Sequence, residues 1–285
     1  MERVIRSKKM NYYDLALYDG EGWHARELLS VSSCQNCYSV TKAFTAAAVG
    51  IARDAGLLSL DDKLGGFFAG EWPDEFDPEI KNVTVRNLLT HTMGLEAGFL
   101  FEADRHKIGT DDWLGYCLSK PLRDKPGEKF MYSNSTYYLL SRIVSGVSGL
   151  RTDRFLYERL FKPLAIDNYA WASCPMGETQ GGTSLYLSTR DMAKLGALYL
   201  NKGVWDGARI FSEDWAERAT TNQTAGIPGT RYGYGIVITD DGYRFAGAYN
   251  QFVAVRPDLN IVIAAHGYIE NSDIGTILNG VLSER

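Results

Sequence analysis

The sequence predicts an α/β fold of the α+β kind: an antiparallel sheet built from both chain ends and flanked by helices, with a mostly helical lobe inserted between them. Three observations carry this prediction. Runs of β-type residues punctuated by turn residues occupy both ends of the chain, an apolar stripe of helical period begins at Val40, and the middle of the chain reads as helical.

The elements follow in order. Residues 14–18 and 27–31 read as strands around the turn Asp19-Gly20-Glu21-Gly22, which makes a hairpin. From Val40, apolar residues fall at 40, 43, 44, 47, 48, 51, 52 and 55, the pattern of a helix buried on one side, and Gly56 ends it. Pro126-Gly127 marks a loop that leads into an apolar helix over 136–147. Strands are predicted at 234–239, 243–247, 251–255 and 260–266, joined by Asp240-Asp241-Gly242 and Arg256-Pro257-Asp258-Leu259, with a closing helix over 272–282. Two lobes result: 1–60 with 186–285 forms the sheet lobe and 61–185 the helical lobe, with one catalytic site in the cleft between them.

Three short motifs meet at that cleft. Ser39-Val40-Thr41-Lys42 puts a serine and a lysine one helical turn apart on one face of the first helix, at the N-terminal end where free N–H groups favour developing negative charge. Alone, such a tetrapeptide is more often an N-cap serine beside a solvated lysine. Its company decides otherwise. Tyr132-Ser133-Asn134 lies on the loop before the 136–147 helix, and Phe245-Ala246-Gly247-Ala248 lies in the β-rich C-terminal region. A serine hydroxyl needs a neighbour to take its proton, and no Ser-His-Asp arrangement in a G-x-S-x-G setting is recognisable, so Lys42 and Tyr132 are the candidate bases. The sequence leaves open which of the two acts.

Ser-x-x-Lys, Tyr-x-Asn and a glycine-bearing strand in this order resemble the penicillin-recognising serine hydrolases, most closely the branch of class C β-lactamases, family VIII esterases and related amide hydrolases. The segments Asp54-Ala55-Gly56-Leu57-Leu58-Ser59-Leu60-Asp61-Asp62, Val83-Thr84-Val85-Arg86-Asn87-Leu88-Leu89-Thr90-His91-Thr92-Met93-Gly94-Leu95 and Ser188-Thr189-Arg190-Asp191-Met192-Ala193-Lys194 extend the resemblance over roughly 30–270. It implies a β-lactamase/transpeptidase-like fold and an acyl-enzyme on Ser39. By the same resemblance, Asn134 bonds the substrate's acyl side chain or steadies Lys42, the backbone N–H groups of Ser39 and Ala248 form the oxyanion hole, and Gly247 lets substrate lie against the strand. His91, inside a matching segment, is expected to be structural rather than catalytic.

Composition narrows the alternatives. The 285 residues carry a net charge of −5 with 45% hydrophobic and 23% charged residues, ordinary for a globular protein and without the basic footprint of a nucleic-acid binder. The first ten residues contain no apolar signal core, and nothing later nears the roughly 18 uninterrupted apolar residues of a membrane span, so a cytoplasmic protein is expected. Cys34, Cys37, Cys117 and Cys174 lack a second paired spacing and are expected as free thiols; the histidines His24, His106 and His266 show no ligand spacing, so no metal and no cofactor is implied.

A departure from the family pattern bears on the substrate. Where carboxylate-binding members have Lys or His followed by Thr or Ser, this chain has Phe245 and Ala246, and losing such a charge-assisted bond costs about 1.5–3 kcal/mol. The reading is therefore a serine hydrolase of a neutral small-molecule ester or amide, esterase preferred, with Phe245, Gly247, Ala248 and Asn134 at the substrate. The alternatives are weak β-lactamase or D-amino-acid peptidase activity, and an idle ligand-binding or sensor module on the same fold. Oligomeric state is not readable from the sequence.

Overall fold

The computed structural model describes residues 10–270. Its main sheet has six antiparallel strands in the order β2-β1-β11-β10-β9-β8. These are β1 (Tyr12–Tyr18), β2 (Trp23–Glu27), β8 (Val237–Thr239), β9 (Gly242–Ala246), β10 (Phe252–Arg256) and β11 (Ile261–Gly267). Strands from the two chain ends meet at the centre, with Leu15 opposite Ala265 and Leu17 opposite Ile263. The turn at 19–22 is as expected, but the returning strand runs Trp23–Glu27 rather than 27–31, so the hairpin is tighter than its apolar pattern suggested. The expected helix over 272–282 lies outside the described residues.

Alternation along the central strands serves two cores. Val253, Val255, Val262 and Ala264 face the main core, whereas Phe252, Ala254, Ile261, Ile263 and Ala265 face a smaller cluster on the other side with Tyr12 and Leu15. Helix Thr189–Leu200 packs on the main-core side at Gly196, where an added Cβ would sit 2.6 Å from Val253 Cγ1; glycine allows this close crossing.

Helix Thr41–Asp54 departs from the one-sided burial its stripe predicts. Every residue from Thr41 to Ala52 is buried. It is a central helix: Gly50 takes the indole of Trp215 from Glu213–Ala219, and other faces meet helices Asn134–Ser148 and Thr152–Leu156. Alanines at 43, 46, 47 and 48 let neighbours approach on all sides, which a periodicity of large apolar residues does not reveal.

Segment 61–185 carries the helices Val85–Leu89, Trp113–Leu118, Asn134–Ser148 and Thr152–Leu156, joined by turns and irregular chain that make up most of its length. It also carries a strand pair that the sequence did not announce. The strands β4 (Ala170–Trp171) and β5 (Leu185–Leu187) join β3 (Gln35–Asn36) in a small antiparallel sheet, and Cys37 N–H donates to Leu185 O at 2.8 Å. This stitch ties the approach to Ser39 to the far end of the helical segment.

Candidate active site

Ser39 sits in the 3₁₀ turn Tyr38–Val40 that runs into helix Thr41–Asp54. The turn is fixed from both sides. Tyr38 N–H donates to Asn36 Oδ1 at 2.8 Å and Val40 N–H to Cys37 O at 3.0 Å. Tyr38 adopts φ +46, a left-handed conformation uncommon for an aromatic residue. Lys42 follows one turn later, fully buried, and its Nζ meets three acceptors: Ser39 Oγ at 3.1 Å, Asn134 Oδ1 at 2.5 Å and Gly182 O at 2.7 Å. Burial holds the Lys42 pKa well below 10.5, opposed in part by the charge of Glu102.

Tyr132 lies over this lysine, its ring centroid 4.6 Å from Nζ. Burial pushes the phenol up to about 12, against the smaller, opposite effect of the Ser39 side chain. The resting phenol is therefore neutral. Asn134 opens helix Asn134–Ser148; its Oδ1 holds Lys42 and its Nδ2 donates to Leu100 O at 3.0 Å. Both bonds tie Asn134 to the protein, one of them to Lys42.

His91 supports the tyrosine motif. It is fully buried with φ +56; Ser133 N–H donates to its Nδ1 at 3.3 Å, Thr136 Oγ1 lies 2.9 Å away, and the ring packs 4.4 Å from Tyr132. Burial depresses its pKa well below 6.5, so the ring is neutral, and with Nδ1 accepting from Ser133 the proton sits on Nε2, 3.4 Å from the Tyr232 hydroxyl.

At the strand end, one expectation changes. Phe245 was expected to line the substrate position, but its side chain is fully buried, packed 5.8 Å from the Tyr199 ring on the main-core face of the sheet. Strand parity is the reason: Tyr243 and Phe245 face inward, whereas Arg244 and Ala246 share the other face with their partners Ala254 and Phe252. Gly247 makes a close contact within the protein. A Cβ there would lie 2.6 Å from Cys37 O and 3.4 Å from Ser39 N, so glycine lets the strand end close against the nucleophile turn. Ala248 follows, exposed, and neither its N–H nor that of Ser39 meets an acceptor among the described residues. Two unsatisfied donors on adjoining segments suit an oxyanion.

Sequence reading missed Gly182 O, Leu100 O and Glu102. The pair Gly181-Gly182 was a usable signal: a Cβ at Gly181 would fall 2.2 Å from Tyr137 O and one at Gly182 2.8 Å from Asn134 O. Cys34, Cys37, Cys117 and Cys174 are all free. Among the described residues no group of three His, Cys, Asp or Glu side chains is arranged to hold a metal, and no helix is long and apolar enough to cross a membrane.

The fold is that of the β-lactamase and penicillin-binding-protein superfamily. The Beta-lactamase family model matches residues 19–267, and the chain belongs to that family. A penicillin-binding protein of Bacillus subtilis (strain 168) is 31% identical over 164 residues, 50% of this chain and 35% of that protein. Penicillin-binding protein 4 of Amycolatopsis lactamdurans is 25% identical over 294 residues, 86% of this chain and 75% of that protein. The chain thus spans about a third of the first relative and three quarters of the second. Among solved structures, a putative 6-aminohexanoate-dimer hydrolase from Bacillus anthracis superposes with a TM-score of 0.83 at 15% identity, covering 100% of this chain and 80% of that one, which speaks to fold alone.

Proposed function

We propose that the protein cleaves an ester or amide lacking a carboxylate next to the scissile bond, esters preferred, through an acyl-enzyme on Ser39 with neutral Lys42 as the base. One observation carries the reading: Lys42 Nζ is fully buried 3.1 Å from Ser39 Oγ, with its other two directions closed by the carbonyl oxygens of Asn134 and Gly182. A neutral amine has two N–H donors and one lone pair. With both donors held by carbonyls, the lone pair faces the Ser39 hydroxyl.

Chemistry follows from that orientation. Ser39 Oγ attacks the substrate carbonyl as its proton passes to Lys42, and the N–H groups of Ser39 and Ala248 receive the oxyanion. The ammonium so formed has three acceptors in place. Tyr132, a neutral phenol whose ring lies over Lys42, relays the proton to the departing group. Water then attacks the acyl-enzyme with the same pair removing its proton. Ala246, on the face of the strand away from the main core, offers no charge to a carboxylate, which favours a substrate without one over a penicillin or a D-alanyl peptide. Weak β-lactamase or D-amino-acid peptidase activity is the alternative.

Intact-mass analysis with a fluorophosphonate tests the core of this reading. One adduct on the wild type and none on Ser39→Ala is expected, together with loss of nearly all hydrolysis of p-nitrophenyl butyrate and a nearly unchanged melting temperature. Turnover retained by Ser39→Ala would sink the assignment.

A further inference from the structure

The two oxyanion donors lie on separate stretches of chain, and both stretches are tied from behind to one place, the end of β11 at His266-Gly267. The first tie is His266. Its side chain is fully buried, and its Nε2 lies 3.8 Å from the thiol of Cys37, two residues before Ser39. The thiol's other neighbour, Gln35 O, also at 3.8 Å, belongs to the same segment. On the far side of the ring, Nδ1 lies 2.7 Å from the hydroxyl of Thr189, which opens helix Thr189–Leu200. Thr189 gives its one hydroxyl proton to Asp14, the residue opposite His266 on β1. It can therefore only accept from His266, so Nδ1 carries the ring proton and Nε2 keeps a lone pair for the Cys37 S–H. Burial holds the ring neutral, with its pKa lowered to about 3.

The second tie is Gln251, a buried residue that wraps the Ala248 segment. Its N–H donates to Ala248 O at 3.4 Å, its carbonyl accepts from Gly247 N–H at 2.8 Å, and its Nε2 donates to Tyr249 O at 3.3 Å. The same carboxamide grips Gly267 on both sides: Nε2 also donates to Gly267 O, and Oε1 accepts from Gly267 N–H at 3.0 Å. Where the two segments touch, a Cβ on Gly247 would meet Cys37 O and Ser39 N, so slack in either tie changes the spacing of the donors. A backbone N–H has no rotamer with which to recover its aim. It points where its chain is held, and a hydrogen bond to an oxyanion weakens as that direction drifts.

We propose that His266 and Gln251 are positioning residues for the oxyanion hole: by holding the Cys37–Ser39 and Gly247–Ala248 segments to the end of β11, they set the separation of the two N–H donors. The proposal rests on the hydrolase reading and adds to it what keeps the backbone wall in place.

Hydrolysis of p-nitrophenyl butyrate tests it, at a temperature where each variant is folded by circular dichroism. His266→Phe and Gln251→Met keep side-chain bulk and remove the polar ties. Each is expected to lower kcat about tenfold, part of the loss of a whole oxyanion donor, with KM within about twofold of wild type. The ionisation that Lys42 sets in the pH profile of kcat/KM should not move, because its own partners are untouched. His266→Gln, whose carboxamide oxygen reaches toward the place of Nε2, should recover kcat to within about threefold of wild type. Wild-type kcat in folded His266→Phe or Gln251→Met, a displaced ionisation, or a His266→Gln no better than His266→Phe overturns the proposal. Should either variant not fold, Cys37→Ala or Gln251→Asn cuts the same tie with a smaller change, and the same outcomes decide. If the wild type turns over no ester and takes no fluorophosphonate, the hydrolase reading has failed and the ties are tested alone by hydrogen–deuterium exchange. Faster exchange over 36–40 in His266→Phe and over 247–250 in Gln251→Met supports them, and unchanged exchange in either overturns them.

Discussion

The two walls that meet at Ser39 are built on opposite plans. On the Lys42 side every polar group is closed: Nζ has three partners, Asn134 has Lys42 and Leu100, and His91 has Ser133, Thr136 and Tyr232. The strand side, by contrast, presents backbone alone: Gly247 pressed on the Cys37–Ser39 turn, and the open N–H groups of Ser39 and Ala248. Proton transfer depends on particular side chains at fixed separations in a dry setting, where desolvation tunes the base. Oxyanion binding depends on where two amides point, and almost any side chain leaves that intact.

This difference can be broken from either side. Lys42→Ala and Tyr132→Phe should each cut kcat/KM for p-nitrophenyl butyrate by about 10²–10⁴, with the double variant little worse than the poorer single one. Losses that multiply would mean that the two residues act independently and that the closed wall is not one unit. Gly247→Ala attacks the open wall without removing any polar group. Its methyl would press on Cys37 O and displace Ala248, so a fall in kcat of about 10² is expected, approaching the loss of one oxyanion donor, with KM little changed. Unaltered kcat in a folded Gly247→Ala would show that the strand end does not position the donor. Phe245→Ala should have the smallest catalytic effect. It removes a fully buried ring and is expected to cost about 3–5 kcal/mol in urea unfolding, while the ratio of nitrocefin to p-nitrophenyl butyrate hydrolysis stays within about twofold of wild type. A large change in that ratio would restore Phe245 to the substrate.

The contrast also explains what was legible beforehand. Ser39, Lys42, Tyr132 and Asn134 could be read because their chemistry is in the side chains and their spacing is local. Gly182 O could not, since any residue has a carbonyl and only the close approach of Gly181 and Gly182 to helix Asn134–Ser148 marks this one. Phe245 was misassigned because a strand's two faces differ by a single residue, and the pattern of 243–247 does not say which face holds the core until β10 and helix Thr189–Leu200 are in place. The sheet from both chain ends was visible in its β-type runs and turns. The strand pair Ala170–Trp171 with Leu185–Leu187 escaped notice, being two and three residues long.

The central claim is that Lys42, not Tyr132, takes the serine proton, and the pH dependence of kcat/KM for p-nitrophenyl butyrate tests it most directly. Lys42 acts as its neutral amine, and burial lowers its pKa, so activity should rise through a single ionisation well below pH 10.5 and then level off. The Tyr132 phenol, pushed up to about 12, would instead give a rise continuing through pH 10 with no plateau. The account predicts the low ionisation in the wild type and its survival, at reduced amplitude, in Tyr132→Phe; a profile that climbs without levelling, or an ionisation that vanishes in Tyr132→Phe, would contradict it.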